Sequence, residues 1–273
     1  MFTLRQYLLA LLDSRGLTRT LGEIDVCRDE QGRPCFSAGN SAAVFRIRLG
    51  GRIRSLRCYL RPMRHLKEIY GQRLLEKELY LHTSPETGVW VDTVLGNWIE
   101  GSTLHETVAQ AAALRDRESL QILVRLFDRL ALALVTDDRA HGDLKPENII
   151  VGDDGTLCPI DFDASYLPAF AGEISPELGT AAYQHPARTA ADFDERIDDY
   201  PAALISTALH ALAENPTLWD RYGSSDGLLY TPQRIASDPA YRETLALFEK
   251  RGMAVQYRIA QLLTAPTLRL FGL

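Results

Sequence analysis

The sequence predicts an α+β protein in two parts, strand-rich over residues 1–100 and mostly helical over 101–273. Three observations carry that expectation. Phe45, Ile47 and Leu49 alternate with Val44, Arg46 and Arg48, the two-residue period of a half-buried strand. Gly50-Gly51 then turns the chain, and Leu56, Cys58 and Leu60 continue the alternation on a return strand. Leu120, Ile122, Leu123, Leu126, Leu130, Ala131 and Leu134 recur instead at helical spacing. Strand-like patterns early and helix-like patterns late suit two packed halves with a ligand cleft between them.

Each element follows from its own residues. Residues 3–14 read as an amphipathic helix. Their apolar run is too short for a secretory leader, and Asp13 and Arg15 interrupt it without a small-residue cleavage site. Residues 22–28 and 34–38 read as strands about the turn Asp29-Glu30-Gln31-Gly32. After the Gly50-Gly51 hairpin, a helix is expected from His65 to Leu81, carrying Glu68, Glu76 and Glu78. Trp90, Val91, Val94 and Leu95 suggest a strand pair ending at the connection 97–101. Ile149–Val151 and Leu157–Pro159 flank Asp153-Asp154-Gly155 as a small hairpin. A buried helix is expected from Ile197 to Ala213, and shorter helices over 239–264. Trp90, Trp98 and Trp219 read as core or cleft-wall residues.

Composition narrows the function. A chain of 273 residues with 46% hydrophobic residues is ordinary for a globular protein. The net charge of −6 argues against broad nucleic-acid binding, which relies on a positive surface. Arg46, Arg48, Arg52, Arg54, Arg57, Arg61, Arg64 and Lys67 are a local exception. They read as the solvated face of a hairpin and a helix start, or as a surface for a phosphate-rich ligand or acidic partner. Cys27, Cys35, Cys58 and Cys158 show no Cys-x-x-Cys spacing and read as scattered, reduced packing residues of a cytoplasmic protein. No segment approaches the ~20 apolar residues of a membrane span. His65, His82, His105 and His210 lack metal-ligand spacing.

The run His141-Gly142-Asp143-Leu144-Lys145-Pro146-Glu147-Asn148, followed by Pro159-Ile160-Asp161-Phe162-Asp163, carries the chemistry. Phosphoryl transfer needs a carboxylate beside the acceptor hydroxyl, a cation near the migrating group, and oxygen ligands for magnesium. These two segments resemble the catalytic loop and metal-binding turn of the protein-kinase-like superfamily. The resemblance covers residues 35–213 and implies a bilobal fold with a β-rich N-lobe and a shortened α-helical C-lobe. It also implies ATP and Mg2+ as cofactors and a protein hydroxyl as acceptor. Asp143 would accept the hydroxyl proton and Lys145 offset charge on the moving group, while Asn148 and Asp161 would hold the metal. Ser37-Ala38-Gly39-Asn40-Ser41-Ala42-Ala43-Val44 stands where the family has its glycine-rich loop, with Gly39 nearest the phosphates and Val44 roofing the adenine. Arg57 takes the place of the phosphate-gripping lysine, with Glu76 as its carboxylate partner. Trp98 and Ile99 would line the hinge, and Ile150 the adenine from below. His141 and Phe162 would pack beneath the site.

Several positions depart from the family pattern. Gly142 replaces an arginine that reads activation-segment phosphate, Asp163 replaces a glycine, and Ala187 replaces a glutamate. Asp163 would add a metal ligand or face solvent. Gly179–Pro186 resembles the end of a protein-kinase activation segment, and Asp199 the aspartate that steadies the catalytic loop. About sixty residues follow position 213, fewer than a full protein-kinase lower lobe has. Three readings stay open: a protein serine/threonine kinase, a pseudokinase that binds nucleotide or a partner, and a small-molecule kinase of the aminoglycoside or choline type. The high arginine-to-lysine ratio hints at a bacterial source.

Overall fold

Thr3 opens the first helix with a reciprocal cap. Its Oγ1 accepts from Gln6 N–H at 3.3 Å, and Gln6 Oε1 accepts from Thr3 N–H at 2.9 Å. The computed structural model describes residues 1–225 and 227–266. The chain divides into two compact units, one ending at Trp98 and the other starting at Ile99.

The first unit is an antiparallel sheet with one covering helix. Its elements are α1 (Leu4–Leu12), β1 (Asp25–Val26), β2 (Phe36–Ala38), β3 (Ala42–Leu49), β4 (Arg52–Tyr59), α2 (Leu66–Tyr70), β5 (Leu74–His82) and β6 (Gly88–Asn97). The strand order is β1-β3-β4-β6-β5, and β2 also pairs with β3. As the alternation requires, Ala43, Phe45, Ile47, Leu56 and Cys58 turn to one face and are buried with Tyr7, Ala10 and Leu11 of α1. Tyr7 Oη donates to Tyr59 O at 2.6 Å and locks the helix to the sheet.

One expected element is overturned here. The helix foreseen over 65–81 stops at Tyr70, and residues 74–82 form β5, paired along β6. Leu, Glu and Lys favour helix only weakly, and the pairing of Leu79, Tyr80 and Leu81 with Val91, Trp90 and Val89 overrides that preference. A register shift between Leu75 and Leu79, with Lys77 at φ +50°, masks the alternation in the sequence. Trp90 on β6 is 39% exposed, so it is not a core residue.

The second unit is mostly helical. It contains β7 (Gly101–Thr103), α3 (Leu104–Ala113), α4 (Arg117–Thr136), β8 (Ile149–Gly152), β9 (Leu157–Pro159), α5 (Asp199–Glu214), α6 (Leu218–Tyr222), α7 (Pro239–Arg251) and α8 (Ala254–Leu262). Strands β7, β8 and β9 form a small antiparallel sheet. The central α5 carries apolar residues on nearly every face, and it is buried against α4, α7 and α8 as such a helix must be. On its partly buried side, Ser206 Oγ donates to Asp128 Oδ1 at 2.7 Å, and His210 Nε2 lies 2.9 Å from Asp128 Oδ2. No helix among the described residues is long and apolar enough to cross a membrane.

Candidate functional site

The loop between α4 and β8 builds the site in the second unit. Ala140 and Tyr166 exchange backbone hydrogen bonds of 3.1 and 2.9 Å and fix its entry. The carboxylate of Asp198, at the N-cap of α5, accepts from the backbone N–H groups of His141 and Gly142, the latter at 3.0 Å. Burial pushes the Asp198 carboxyl up, while His141, the two N–H groups and Arg188 oppose that shift. The expected residue for this role was Asp199. It is the first residue of α5 and is buried, but the carboxylate that reaches back to the loop belongs to its neighbour. His141 closes the floor: its Nε2 lies 2.7 Å from Ile160 O, and its ring centroid 4.9 Å from that of Phe162.

Gly142 is dictated by space. Its φ is +80°, and a Cβ there would lie 2.0 Å from Ala164 O. No side chain, arginine included, fits in that backbone. A guanidinium reaches the loop from elsewhere: Arg188 Nη1 donates to Gly142 O at 3.2 Å and also to Gln184 Oε1. Burial pulls the Arg188 pKa down, and the charges of Asp198 and Asp143 oppose it.

Asp143 is held on both oxygens. Oδ1 accepts from Thr180 N–H at 2.5 Å, and Oδ2 accepts from Asn148 Nδ2 at 3.2 Å. Lys145 Nζ lies 3.6 Å from Asp143 Oδ2 and donates to Thr180 Oγ1 at 2.8 Å. Asn148 Nδ2 also donates to Asp143 O at 2.9 Å. Pairing of Ile149 with Pro159, and the 2.8 Å bond from Ile160 N–H to Asn148 O, bring the chain just before Asp161 beside Asn148. Asp161 itself takes the left-handed conformation, φ +67°, and starts a short turn over Phe162–Ala164. Asp163 in that turn is only 3% exposed, which rules out a solvent-facing role.

This donor set suits magnesium. Among the described residues no three His, Cys, Asp or Glu side chains gather as a metal cage. Mg2+ does not need one, because it takes one or two protein oxygens and completes its shell with water and phosphate. The amide nitrogen of Asn148 is committed to Asp143, so its carbonyl oxygen is the atom left to offer a cation.

The remaining expected residues divide between the two units. In the first, Val44 and Arg57 are cross-strand partners on the sheet face opposite α1. Arg57 lies 5.9 Å from the Tyr59 ring centroid, and Arg46 lies 5.8 Å from that of Trp98. Gly39 sits in the β2–β3 turn, its N–H donating to Ala42 O at 2.9 Å. Glu76 departs from expectation. It stands exposed on β5 and pairs with Lys67 at 3.5 Å. In the second unit, Ile99 is the first residue and Ile150 pairs with Thr103 and Cys158 in the small sheet. Sequence reasoning missed three partners of Asp143 or its loop: Thr180 as a binding group, Asp198 and Arg188. The block Gly179–Pro186 was the available signal for Thr180.

Comparison with known proteins adds a distant kinship. CBL-interacting protein kinase 17 of Oryza sativa subsp. japonica is 28% identical over 172 residues, 60% of this chain and 35% of that protein. Serine/threonine-protein kinase PknL of Mycobacterium tuberculosis is 34% identical over 113 residues, 39% of this chain and 27% of that protein. The relationship is protein-kinase-like and remote. The chain spans about a third or less of these relatives' lengths, and no family model matches it.

Proposed function

We propose that this protein is an ATP- and magnesium-dependent phosphotransferase acting on a serine or threonine hydroxyl of a protein. The observation that carries the reading is the clamped Asp143 carboxylate, held by Thr180 N–H and Asn148 with the Lys145 ammonium 3.6 Å away. Asp143 would orient the acceptor hydroxyl and take its proton as the oxygen bonds to the γ-phosphorus and the bond from that phosphorus to the bridging oxygen breaks, with ADP leaving. Lys145 offsets negative charge on the phosphoryl group in transfer. Asn148 and Asp161 are the residues to hold Mg2+, which when bound neutralises charge on the phosphate oxygens. Arg57 replaces a lysine as the phosphate-gripping cation, and its planar fork suits two phosphate oxygens. Gly39, Val44, Trp98, Ile99 and Ile150 complete the proposed nucleotide contacts. Thr180 donates its N–H to Asp143 and accepts from Lys145, which favours a protein acceptor over a small molecule because the activation-segment-like block is then part of the site. The kinase names of the remote relatives agree.

Transfer of labelled phosphate from ATP to a protein acceptor or to the chain itself tests this. Asp143→Asn is expected to lower the rate by about 10²–10⁴-fold, the usual worth of a positioned general base. Equal transfer by wild type and variant would refute the assignment.

One observation favours a second reading, a nucleotide-binding module without turnover. Glu76 pairs with Lys67 and stands on a strand, so the carboxylate partner foreseen for Arg57 is engaged elsewhere. Nucleotide binding with no detectable transfer, unchanged in Arg57→Lys, would select it.

A further inference from the structure

The hairpin between β1 and β2 sets two thiols opposite one another. Arg28 and Pro34 form an antiparallel bridge. On one side of it Asp29 N–H donates to Arg33 O at 2.9 Å, and on the other Cys35 N–H donates to Cys27 O at 2.8 Å. That register makes Cys27 and Cys35 directly opposed. Opposed residues in an antiparallel pair have Cα atoms about 4.5–5.5 Å apart. A disulfide closes over Cα separations of about 4.4–6.8 Å.

The two side chains also leave one face of the sheet. Val26 pairs with Ile47 and Phe36 with Phe45, and Val26, Ile47 and Phe45 are buried on the α1 side. Alternation then turns Cys27 and Cys35 to the other face. Arg46 links them through the backbone: Cys27 N–H donates to Arg46 O, and Arg46 N–H to Cys35 O, both at 2.9 Å. Both thiols are free and partly exposed, whereas Cys58 is buried.

We propose that Cys27 and Cys35 form a reversible dithiol–disulfide site, with a hydroperoxide as oxidant. One thiolate attacks a peroxide oxygen, giving a sulfenic acid and, from hydrogen peroxide, one water. The opposed thiol attacks that sulfur, forming the S–S bond and releasing a second water. The pair loses two protons and two electrons, and the peroxide is reduced to two waters. A dithiol reductant reverses the bond by exchange. The bond closes the 28–34 loop and ties β2, which leads into the Gly39 turn, to the end of β1. The covalent chemistry stands independently of the phosphotransfer reading.

The test is made on the full-length protein, reduced and then exposed to hydrogen peroxide. The intact mass is expected to fall by two hydrogens, and two of the four cysteines to resist alkylation. Proteolysis after Glu30 separates Cys27 from Cys35, so the expected product is a pair of peptides joined through those residues and parted by dithiothreitol. A Cys58→Ser/Cys158→Ser double variant is expected to behave like wild type, and Cys27→Ser to give no internal link. Four alkylatable thiols after exposure, an internal bond through Cys158, or intermolecular dimers in place of the internal bond would each overturn the proposal.

Discussion

The Asp143 carboxylate meets three partners from two stretches of chain, and this economy makes single residues decisive. Thr180 serves it twice, through its N–H to Asp143 and through its hydroxyl to Lys145. Thr180→Ala removes only the second bond. Phosphate transfer is therefore expected to fall roughly tenfold, about the worth of one hydrogen bond to a charged group. Thr180→Ser is expected to restore it, and a variant series in a transfer assay checks both. Gly142→Ala acts on stability instead. A methyl 2.0 Å from Ala164 O, on a backbone at φ +80°, is expected to cost about 1–3 kcal/mol or more in urea unfolding. Asp143, Lys145 and Asn148 were legible in the sequence because one short loop holds them all. Thr180 lies 35 residues beyond Lys145 and Arg188 46 beyond Gly142, so folding alone reveals their partnership with the loop. Asp198 and Asp199 are not separable in the sequence, because two adjacent aspartates differ only in the direction each leaves the helix start.

Strand β5 shows how one element hides two different carboxylates. Glu78, 1% exposed, accepts from the N–H groups of Arg19, Thr20 and Leu21 and from the Thr20 hydroxyl. Glu78→Ala removes the shared acceptor of these part-buried donors and is expected to cost about 1–3 kcal/mol in unfolding free energy. Glu76→Ala breaks only an exposed ion pair and is expected to cost less than about 0.5 kcal/mol. The sequence shows both as helix-favouring glutamates; neither the cage of backbone donors nor the strand shift that separates them is local information. Helices α4 and α5 carry a pH-dependent link of their own. Burial raises the Asp128 carboxyl, but hydrogen bonds from His210 and Ser206 outweigh it and hold the group below its usual range. A depressed carboxylate stabilises the fold above its unfolded pKa, about 3.9, and loses that contribution on acidification. The stability gap between wild type and Asp128→Asn is thus expected to be widest near neutrality and to narrow as the pH falls below about 4.

Among the described residues, one hydrophobic core gathers around Phe45, Leu56 and Leu79 and a separate one around Phe127, Leu204 and Phe248. Cores that share no cluster have no need to melt together. Calorimetry is expected to show Phe45→Ala lowering one transition and Leu204→Ala another, each truncation worth about 2–5 kcal/mol. A single transition displaced equally by both would contradict this. The division into strand-rich and helical parts was readable because periodicity survives in long elements such as β3, β4 and α4. The short α2 was overextended because nothing local distinguishes a one-turn helix from the start of a longer one. Gly142 and Gly179, which approach one another across two segments, have a last consequence. A Cβ on Gly179 would lie 2.7 Å from Gly142 O, and one on Gly142 would strike the chain at Ala164. In a library of every single substitution sorted only for folded protein, columns 142 and 179 should stand nearly blank, while exposed Leu178 beside them accepts most replacements. Sequencing the survivors would thus outline the seam where distant segments meet before any substrate is known.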